Sequence, residues 1–181
     1  MSSFYSQEEL KGLGFKQLGN SVLISRNATF YGTENMIIGN YVRIDDFCIL
    51  SGKISLASHI HISAYCALYG AFGIQMQDYT GLSPRCSVFS AVDDFSGNYL
   101  ISPMSNKEST NVTGGPVIIN RYSQIGASCV IFPDLTIQEG VAVGAMSLVK
   151  NSLTEWGIYT GIPAIRISDR KKGLLEFKID E

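Results

Sequence analysis

The sequence has little of what several common protein classes require. No apolar run approaches the roughly 20 residues of a membrane-spanning helix, and the N-terminus is acidic and polar where a secretion signal is basic and then apolar. The net charge is -2 and charged residues make up 17% of the 181 residues, which does not indicate a surface for nucleic acid. A hydrophobic content of 45% nevertheless indicates a folded chain with a core. We expect a cytoplasmic protein built around one domain.

Histidine and cysteine are also sparse. The chain has two histidines, His59 and His61, and four cysteines. No two cysteines have the CxxC spacing of zinc and redox motifs. Neither a disulfide framework nor a metal cofactor is expected.

What the chain does have is an aliphatic residue at every sixth position. The members of this first set are Ile38, Ile44, Leu50, Leu56, Ile62, Leu68, Met76, Leu82, Val88, Ile119, Ile125, Ile131, Ile137, Val143 and Val149. The register slips by two residues after Leu68 and is interrupted by a long gap before Ile119, and Ile24 and Phe30 begin the series. A fixed period of this kind indicates a repeat architecture.

A second set of mostly small or β-branched residues stands four places after the first. Its members are Val42, Cys48, Ile54, Ile60, Cys66, Phe72, Thr80, Cys86, Val92, Ser123, Cys129, Leu135, Val141 and Ser147. Alternation along a strand turns both sets towards the interior. All four cysteines belong to the second set, so they are predicted to be buried and unpaired.

Six-residue rungs of this kind coil into a triangular prism, with about three rungs to a turn. The fold class predicted is therefore all-β, a parallel β-helix over residues 21–165, with a helical cap over 1–20 and a tail over 166–181. Ser6 and Glu9 have capping-box spacing and predict a short helix through Lys11, and a terminal helix is predicted over 170–177. The gap at 93–116 predicts a loop that projects and lies on a neighbouring subunit.

One prism face is predicted to carry small residues on successive coils. Counting rungs in threes across the long loop places Gly126, Ala127, Gly144 and Ala145 in one column. Such a column leaves a shallow groove with exposed amides, in which a pantetheine arm can lie. The alternative is that small residues ease packing between subunits. Arg166, in a basic run after the last rung, is a candidate for contact with nucleotide phosphates, or else part of a solvated surface.

Four segments carry a resemblance to a known family: Ile125–Ala127, Phe132–Ile137, Val143–Ser147 and Gly161–Ala164. Over residues 20 to 170 the chain resembles the galactoside and maltose O-acetyltransferases, and equally the sugar acetyltransferases of surface-polysaccharide pathways. The resemblance implies a left-handed coil, a homotrimer, and acetyl-CoA bound between adjacent prisms. It also implies that Ala127 and Ala145 line the pantetheine path.

The catalytic base departs from that family. Its members typically have a histidine at the start of the long loop, and the matching position here is Asp93. His61 is the alternative, because a histidine titrates near neutral pH, and the two could share one site between subunits. The six-residue period predicts that His59 lies in the middle of a face with its side chain outward, and that His61 lies at a corner just before Ile62. On the acceptor side, Arg85, Tyr65 and Asp94 are the candidate substrate-binding residues.

The resemblance predicts acyl transfer from acetyl-CoA to a hydroxyl or amine of a sugar or nucleotide-linked sugar. The acceptor would attack the thioester directly, since the cysteines are assigned to the interior. The missing histidine favours an amine, which needs less help from a base. A carbonic anhydrase of the same architecture needs three histidines and is discarded. A non-catalytic assembly module remains the alternative.

Overall fold

The structure is a computed structural model and describes residues 3–177. Within this range the regular elements are twenty short strands, one α-helix and three 3-10 helices. The strands in chain order are β1 (Gln17–Leu18), β2 (Leu23–Ile24), β3 (Thr29–Tyr31), β4 (Met36–Ile38), β5 (Arg43–Ile44), β6 (Ile49–Leu56), β7 (His61–Ile62), β8 (Ala67–Met76), β9 (Gly81–Leu82), β10 (Ser87–Phe89), β11 (Ala91–Asp93), β12 (Val112–Gly114), β13 (Val117–Ile119), β14 (Gln124–Ile125), β15 (Val130–Ile131), β16 (Leu135–Ile137), β17 (Ala142–Val143), β18 (Leu148–Val149), β19 (Gly157–Thr160) and β20 (Ile165–Asp169). The helices are α1 (Gln7–Gly12) and 3-10 helices at Thr33–Asn35, Lys107–Ser109 and Gly173–Glu176. No helix in residues 3–177 is long and apolar enough to cross a membrane.

The strands stack as a parallel β-helix with three faces. Face 1 is the parallel series β2, β5, β7, β9, β14, β17 and β19, which gives seven coils. Face 2 consists of β3, the first halves of β6 and β8, and β10, β15 and β18. Face 3 consists of β1, β4, the second halves of β6 and β8, and β13 and β16. β9 pairs directly with β14 across the long loop, so the loop leaves the phase of the coils unchanged, as the count in threes required.

The core follows the predicted period closely. All fifteen positions of the first set are buried, none more than 4% exposed, and each faces its equivalent in the next coil. The second set is also interior with two exceptions. Phe72 is 49% exposed and Val92 is half-buried. Phe72 lies where β8 crosses a corner with extra residues, and Gly73 after it has φ of +110°, so the chain there leaves the six-residue rung.

The corners of the prism use left-handed backbone at residues that are not glycine. Among residues 3–177, twelve residues other than glycine have positive φ, a conformation that costs an L-residue about 1–2 kcal/mol. At the corner before face 1 these residues stack into an aromatic ladder of Tyr41, His59, Tyr79, Tyr122 and Trp156, with neighbouring ring centroids 4.5–6.5 Å apart. Each stacked pair contributes about 0.5–1.5 kcal/mol beyond burial, which offsets much of the backbone cost.

The two histidines exchange the positions expected from the period. His59 was expected in the middle of a face, and it lies at a corner with φ of +58°, between the rings of Tyr41 and Tyr79. His61 was expected at a corner, and it lies in β7 on face 1 with its side chain outward. The chain turns at His59, the residue with left-handed backbone, which lies two positions before the corner predicted from the period.

The ends of the chain agree with the sequence at one end only. Helix α1 begins after Ser6, whose hydroxyl accepts from the Glu9 amide in the predicted capping box. The predicted terminal helix over 170–177 is wrong, because only the 3-10 helix Gly173–Glu176 forms there. The chain is held extended on both sides of Asp169: β20 pairs antiparallel with β19, and Arg170 donates to the Tyr122 and Gly140 carbonyls. Residues 178–181 of the predicted tail lie outside the described residues.

Gly140 is the position where the aromatic ladder demands a glycine. Its φ is +69°, and a Cβ there would lie 2.4 Å from the ring of Trp156. This ring occupies the position in the ladder that a side chain at residue 140 would otherwise take. We expect Gly140→Ala to lower the free energy of unfolding by about 2–4 kcal/mol, from backbone strain and the displaced ring together. Chemical denaturation measures the change.

The matched control is Gly12→Ala, because nothing lies within 4 Å of a Cβ at Gly12. Gly12 ends a helix, where alanine is neutral or slightly stabilising. Equal stabilities of the two variants would contradict the role given to Gly140.

Candidate active site

Small residues line the edge between faces 1 and 2 on four consecutive coils. This small-residue column consists of Ser63, Ala64, Ser83, Pro84, Gly126, Ala127, Gly144 and Ala145. Strand pairing sets one member above the next, since Ile62 pairs with Leu82, Leu82 with Ile125, and Ile125 with Val143. The coils touch here: a Cβ on Gly126 would lie 2.5 Å from the Ala145 nitrogen. The structure therefore brings the four predicted cofactor-binding residues Gly126, Ala127, Gly144 and Ala145 together.

The column offers backbone donors to a ligand. The N–H groups of Ala127 and Ala145 donate to no acceptor within residues 3–177. Gly126 and Gly144, which precede them, bond through their own amides to the Val143 and Tyr159 carbonyls of the next coil. Two free donors one coil apart, with no side chain beyond Cβ beside them, make a narrow groove suited to an amide-containing chain.

Arg85 and Tyr65 lie at the same corner as the column. The Arg85 guanidinium is 5.8 Å from the centroid of the Tyr65 ring, and the other face of Tyr65 stacks on Phe47 at 5.0 Å. No carboxylate within residues 3–177 pairs with Arg85. A cation held by a ring rather than by an anion is available to a negatively charged or polarised ligand group.

Asp93 and Asp94 stand where the long loop leaves the coil. β11 pairs antiparallel with β12, and residues 94–111 form an arm beyond this short ladder. Asp94 accepts from the Ser96 amide at 2.7 Å and from Asn111 Nδ2 at 3.1 Å. The Ser96 hydroxyl and amide, with Asn111, hold the pKa of Asp94 below its ordinary value, so this carboxylate organises the arm. The half-buried Asp93 side chain has no hydrogen-bond partner within the described part of the chain.

Within one chain the structure does not bring Asp93 to the small-residue column. Asp93 follows the same coil as Ser83 and Pro84 of the column, but these residues lie at opposite edges of face 2. The extended path from Arg85 to Ser90 spans about 15 Å at the rise of a β-strand. Within one chain, the candidate base and the small-residue column therefore lie apart.

His61 belongs to a third place on the surface. Its Nε2 lies 2.8 Å from Asp45 Oδ2, and Arg43 Nε donates to Asp45 Oδ1 at 2.7 Å. Burial opposes ionisation of Asp45, but the hydrogen bonds from Arg43 and His61 outweigh it and hold the pKa of the carboxyl below its usual value. The half-exposed His61 ring borders a cavity of about 810 Å³ between face 1, the aromatic ladder and the C-terminal segment. Neither Asp93 nor the alanines of the column line that cavity.

The basic run near the C-terminus is engaged with the chain itself. Arg166 donates to Thr154 Oγ1 at 2.9 Å and to Asp169 at 2.8 Å, and it lies over the Tyr159 ring. Lys172 lies over Trp156. These contacts fasten the last segment to the coil, and the phosphate contact of Arg166 stays a prediction. Nothing in the sequence indicated that these basic side chains would bind to the chain itself.

The four cysteines are free and buried, as predicted. Among residues 3–177, no three His, Cys, Asp or Glu side chains are grouped so that they could hold a metal ion.

Several known proteins are similar to this chain in sequence and fold. No protein-family model matches the sequence. The dTDP-4-amino-4,6-dideoxy-D-glucose acyltransferase of Escherichia coli is 40% identical over 179 residues, which cover 97% of this chain and 93% of that protein. Crystal structures of AntD, an N-acyltransferase from Bacillus cereus, superpose with a TM-score of 0.95 at 52% identity, covering 97% of this chain and 95% of that chain. A hexapeptide-repeat acetyltransferase from Vibrio cholerae shares the fold at 17% identity and a TM-score of 0.64, over 92% of this chain and 80% of that one.

These likenesses define the class as the hexapeptide-repeat acyltransferases, enzymes built on a left-handed parallel β-helix. The predicted fold and hand are confirmed. Within that class the chain belongs to the family of nucleotide-sugar acyltransferases that includes AntD and the Escherichia coli enzyme. The prediction of an enzyme, rather than an assembly module, is confirmed with it.

The Asp45 cluster predicts a specific response to acid. Because the pKa of Asp45 is depressed in the folded protein, its contribution to stability is present above the unfolded pKa of about 4 and is lost as the pH falls through the folded pKa. We expect the difference in Tm between wild type and Asp45→Asn to be largest above about pH 5 and to narrow towards pH 3. The partners are half exposed, so the full difference is about 1 kcal/mol or less.

Thermal unfolding across this pH range measures the effect. Asp169→Asn is the control, because the Asp169 side chain is 90% exposed in its pair with Arg166. A gap for Asp45→Asn that stays constant from pH 7 to pH 3 would contradict the assignment.

Proposed function

We propose that the protein transfers an acyl group from acyl-CoA to the 4-amino group of a dTDP-linked 4-amino-4,6-dideoxyglucose. The observation that carries the proposal is the likeness to AntD over almost the whole chain, since AntD has been crystallised with dTDP-4-amino-4,6-dideoxyglucose and coenzyme A. The acyl donor is acetyl-CoA or another short acyl-CoA, and AntD itself has been crystallised with 3-hydroxybutyryl-CoA. We place the reaction in the cytoplasm, in the synthesis of sugars for surface polysaccharides.

The small-residue column supports the donor side of this proposal. Pantetheine is a thin chain with two amide carbonyls that need hydrogen-bond donors. The free amides of Ala127 and Ala145 supply two donors about 4.8 Å apart, the spacing of neighbouring strands. Any larger side chain at Gly126 or Gly144 would fill the groove or push the coils apart. We assign Arg166 a secondary place, because its guanidinium is already bound within the chain.

The chemistry proposed is direct transfer. The amine nitrogen of the sugar attacks the thioester carbonyl, the new C–N bond forms, and the C–S bond breaks to release coenzyme A as its thiolate. The proton lost by the nitrogen passes to the base, and coenzyme A leaves as the thiol after protonation. Holding both substrates in one cleft contributes by proximity. We assign Arg85 and the Ser83 hydroxyl to stabilisation of the oxyanion.

Asp93 is our choice for the base over His61. The Asp93 carboxylate has no partner within residues 3–177, whereas His61 is bonded to Asp45 on face 1. AntD has been crystallised with substitutions at a serine and an aspartate that stand ten positions apart. Asp93 is the one aspartate in this sequence with a serine, Ser83, ten positions before it. Tyr65 and Asp94 remain candidates for acceptor contact, Asp94 through the arm that it organises.

The active assembly proposed is a homotrimer. Its support is the separation of Asp93 from the column within one chain, together with an apolar surface on the arm. Phe95 is 85% exposed and Met104 92% exposed, with Leu100 and Ile101 exposed between them. Packing the arm of one subunit on the next would bury these side chains. It would also bring Asp93 of one subunit towards the column of its neighbour.

The base assignment predicts unequal effects of two substitutions. We expect Asp93→Asn to lower kcat/KM by about 100-fold or more, because general-base catalysis contributes about 10²–10⁴. His61→Gln should change it by less than about twofold. Release of the coenzyme A thiol, with acetyl-CoA and dTDP-4-amino-4,6-dideoxyglucose as substrates, measures both rates. A larger loss in the His61 variant would reverse the assignment. No thiol release by the wild type from either acetyl-CoA or 3-hydroxybutyryl-CoA would defeat the proposed function.

The trimer predicts that charge on the arm dissociates the protein. Phe95→Asp with Met104→Asp should convert an assembly of three 19.8 kDa chains into single chains, because buried carboxylates without partners are costly. Sedimentation equilibrium measures the mass of the assembly directly. Lys107→Asp adds the same charge to a polar position of the same arm and should leave the trimer intact. A wild-type protein that sediments as a monomer would exclude the arrangement.

A further inference from the structure

The interior of the coil carries a column of thiols that the proposed reaction does not use. Cys48, Cys66, Cys86 and Cys129 occupy equivalent, fully buried positions on four consecutive coils. Each thiol lies against a carbonyl of the small-residue column in the next coil. The Sγ to O distances are 3.1 Å from Cys48 to Ser63, 3.2 Å from Cys66 to Ser83, 3.1 Å from Cys86 to Gly126 and 3.1 Å from Cys129 to Gly144.

These bonds fix the direction of the peptide groups that form the groove. In a trans peptide the C=O and N–H bonds point in opposite directions, and the cis peptide of the described chain is elsewhere, at Ile162–Pro163. A Gly126 carbonyl that points inward to a buried thiol therefore directs the Ala127 N–H outward. That N–H has no acceptor within residues 3–177.

We propose that Cys86 is a positioning residue for the acyl donor: its thiol holds the Gly126 carbonyl inward and so aims the Ala127 amide into the groove. The inference rests on the proposed function, in which that amide binds the pantetheine of acyl-CoA. It gives the buried cysteine a role in binding that acts through the backbone rather than by contact with the substrate.

Two of the other cysteines, Cys66 and Cys129, differ from Cys86 in the peptide group that each of them holds. The carbonyl held by Cys66 belongs to the Ser83–Pro84 peptide, which has no N–H to aim. The carbonyl held by Cys129 is also held by the Ser147 hydroxyl, Oγ to O 2.7 Å, so the Ala145 amide keeps its direction without the thiol. Gly126 receives no second side-chain bond within residues 3–177. Three chemically alike cysteines are thus expected to behave differently.

The test compares Cys66→Ala, Cys86→Ala and Cys129→Ala. All three remove a buried thiol, and all three should lower Tm to a similar extent. Calorimetric titration with coenzyme A should show an increase in Kd of about three- to tenfold for Cys86→Ala, the worth of one hydrogen bond. Cys66→Ala and Cys129→Ala should stay within about twofold of wild type.

Cys86→Ser provides the rescue. A hydroxyl makes the corresponding bond to the next coil at Ser123, another member of the second set, where it donates to the Gln138 carbonyl at 2.9 Å. A serine should therefore restore both the bond and the wild-type Kd. A further readout needs no ligand: with 15N-alanine labelling, the Ala127 amide resonance should move in Cys86→Ala more than in Cys66→Ala.

The outcomes are separable. Wild-type protein that does not bind coenzyme A removes the proposed function and this inference with it. Wild-type binding that survives unchanged in Cys86→Ala, or falls equally in Cys66→Ala and Cys86→Ala, overturns the inference alone. A Cys86→Ser variant that binds as weakly as Cys86→Ala also overturns it, because then volume rather than the donated bond is what matters.

Discussion

The structure depends on one constraint, the backbone hydrogen bonding of each coil to the coil above and below it in exact register. Parallel pairing sets every residue over its own equivalent, so a side chain chosen for one coil must suit a stack of similar side chains. Three columns follow from this: the buried aliphatic set, the interior thiols, and the aromatic ladder from Tyr41 to Trp156. The groove is a fourth column, in which each coil contributes the smallest residues available.

Most of the fold could be predicted from the six-residue period alone. Ile44, Leu82 and Ile125 could be placed on one face because a six-residue rung leaves no freedom in which side chain points inward. The same rule located the cysteines and the small-residue column. It did not show which residue of a rung turns the corner, since a left-handed backbone at His59 depends on stacking against rings in other coils. For this reason the positions predicted for His59 and His61 were wrong.

The candidate site was less readable, for a different reason. The positions of Ala127 and Ala145 follow from the repeat. The roles proposed for Asp93 and Arg85 do not, because local sequence sets neither the distance of their side chains from the column nor their partners. A basic residue such as Arg166 has the same pattern whether it meets a ligand or the chain's own Thr154 and Asp169. The terminal helix failed likewise, because the antiparallel pairing of β20 with β19 is a long-range contact that overrides local preference. Ser83 was counted for its size, and its hydroxyl gave no separate signal.

The long loop leaves the coil and rejoins it at neighbouring residues. Its flanking residues meet where the Gly115 amide donates to the Ser90 carbonyl at 3.1 Å, and the strands on either side keep their partners in the neighbouring coils. The coil would close equally well over a segment of another length, because the free energy of loop closure changes slowly with length. In evolutionary terms, the coil and the arm are separate parts that can change independently. If the proposed function holds, a change of acceptor can arise by replacing the arm, while the small-residue column is inherited unaltered.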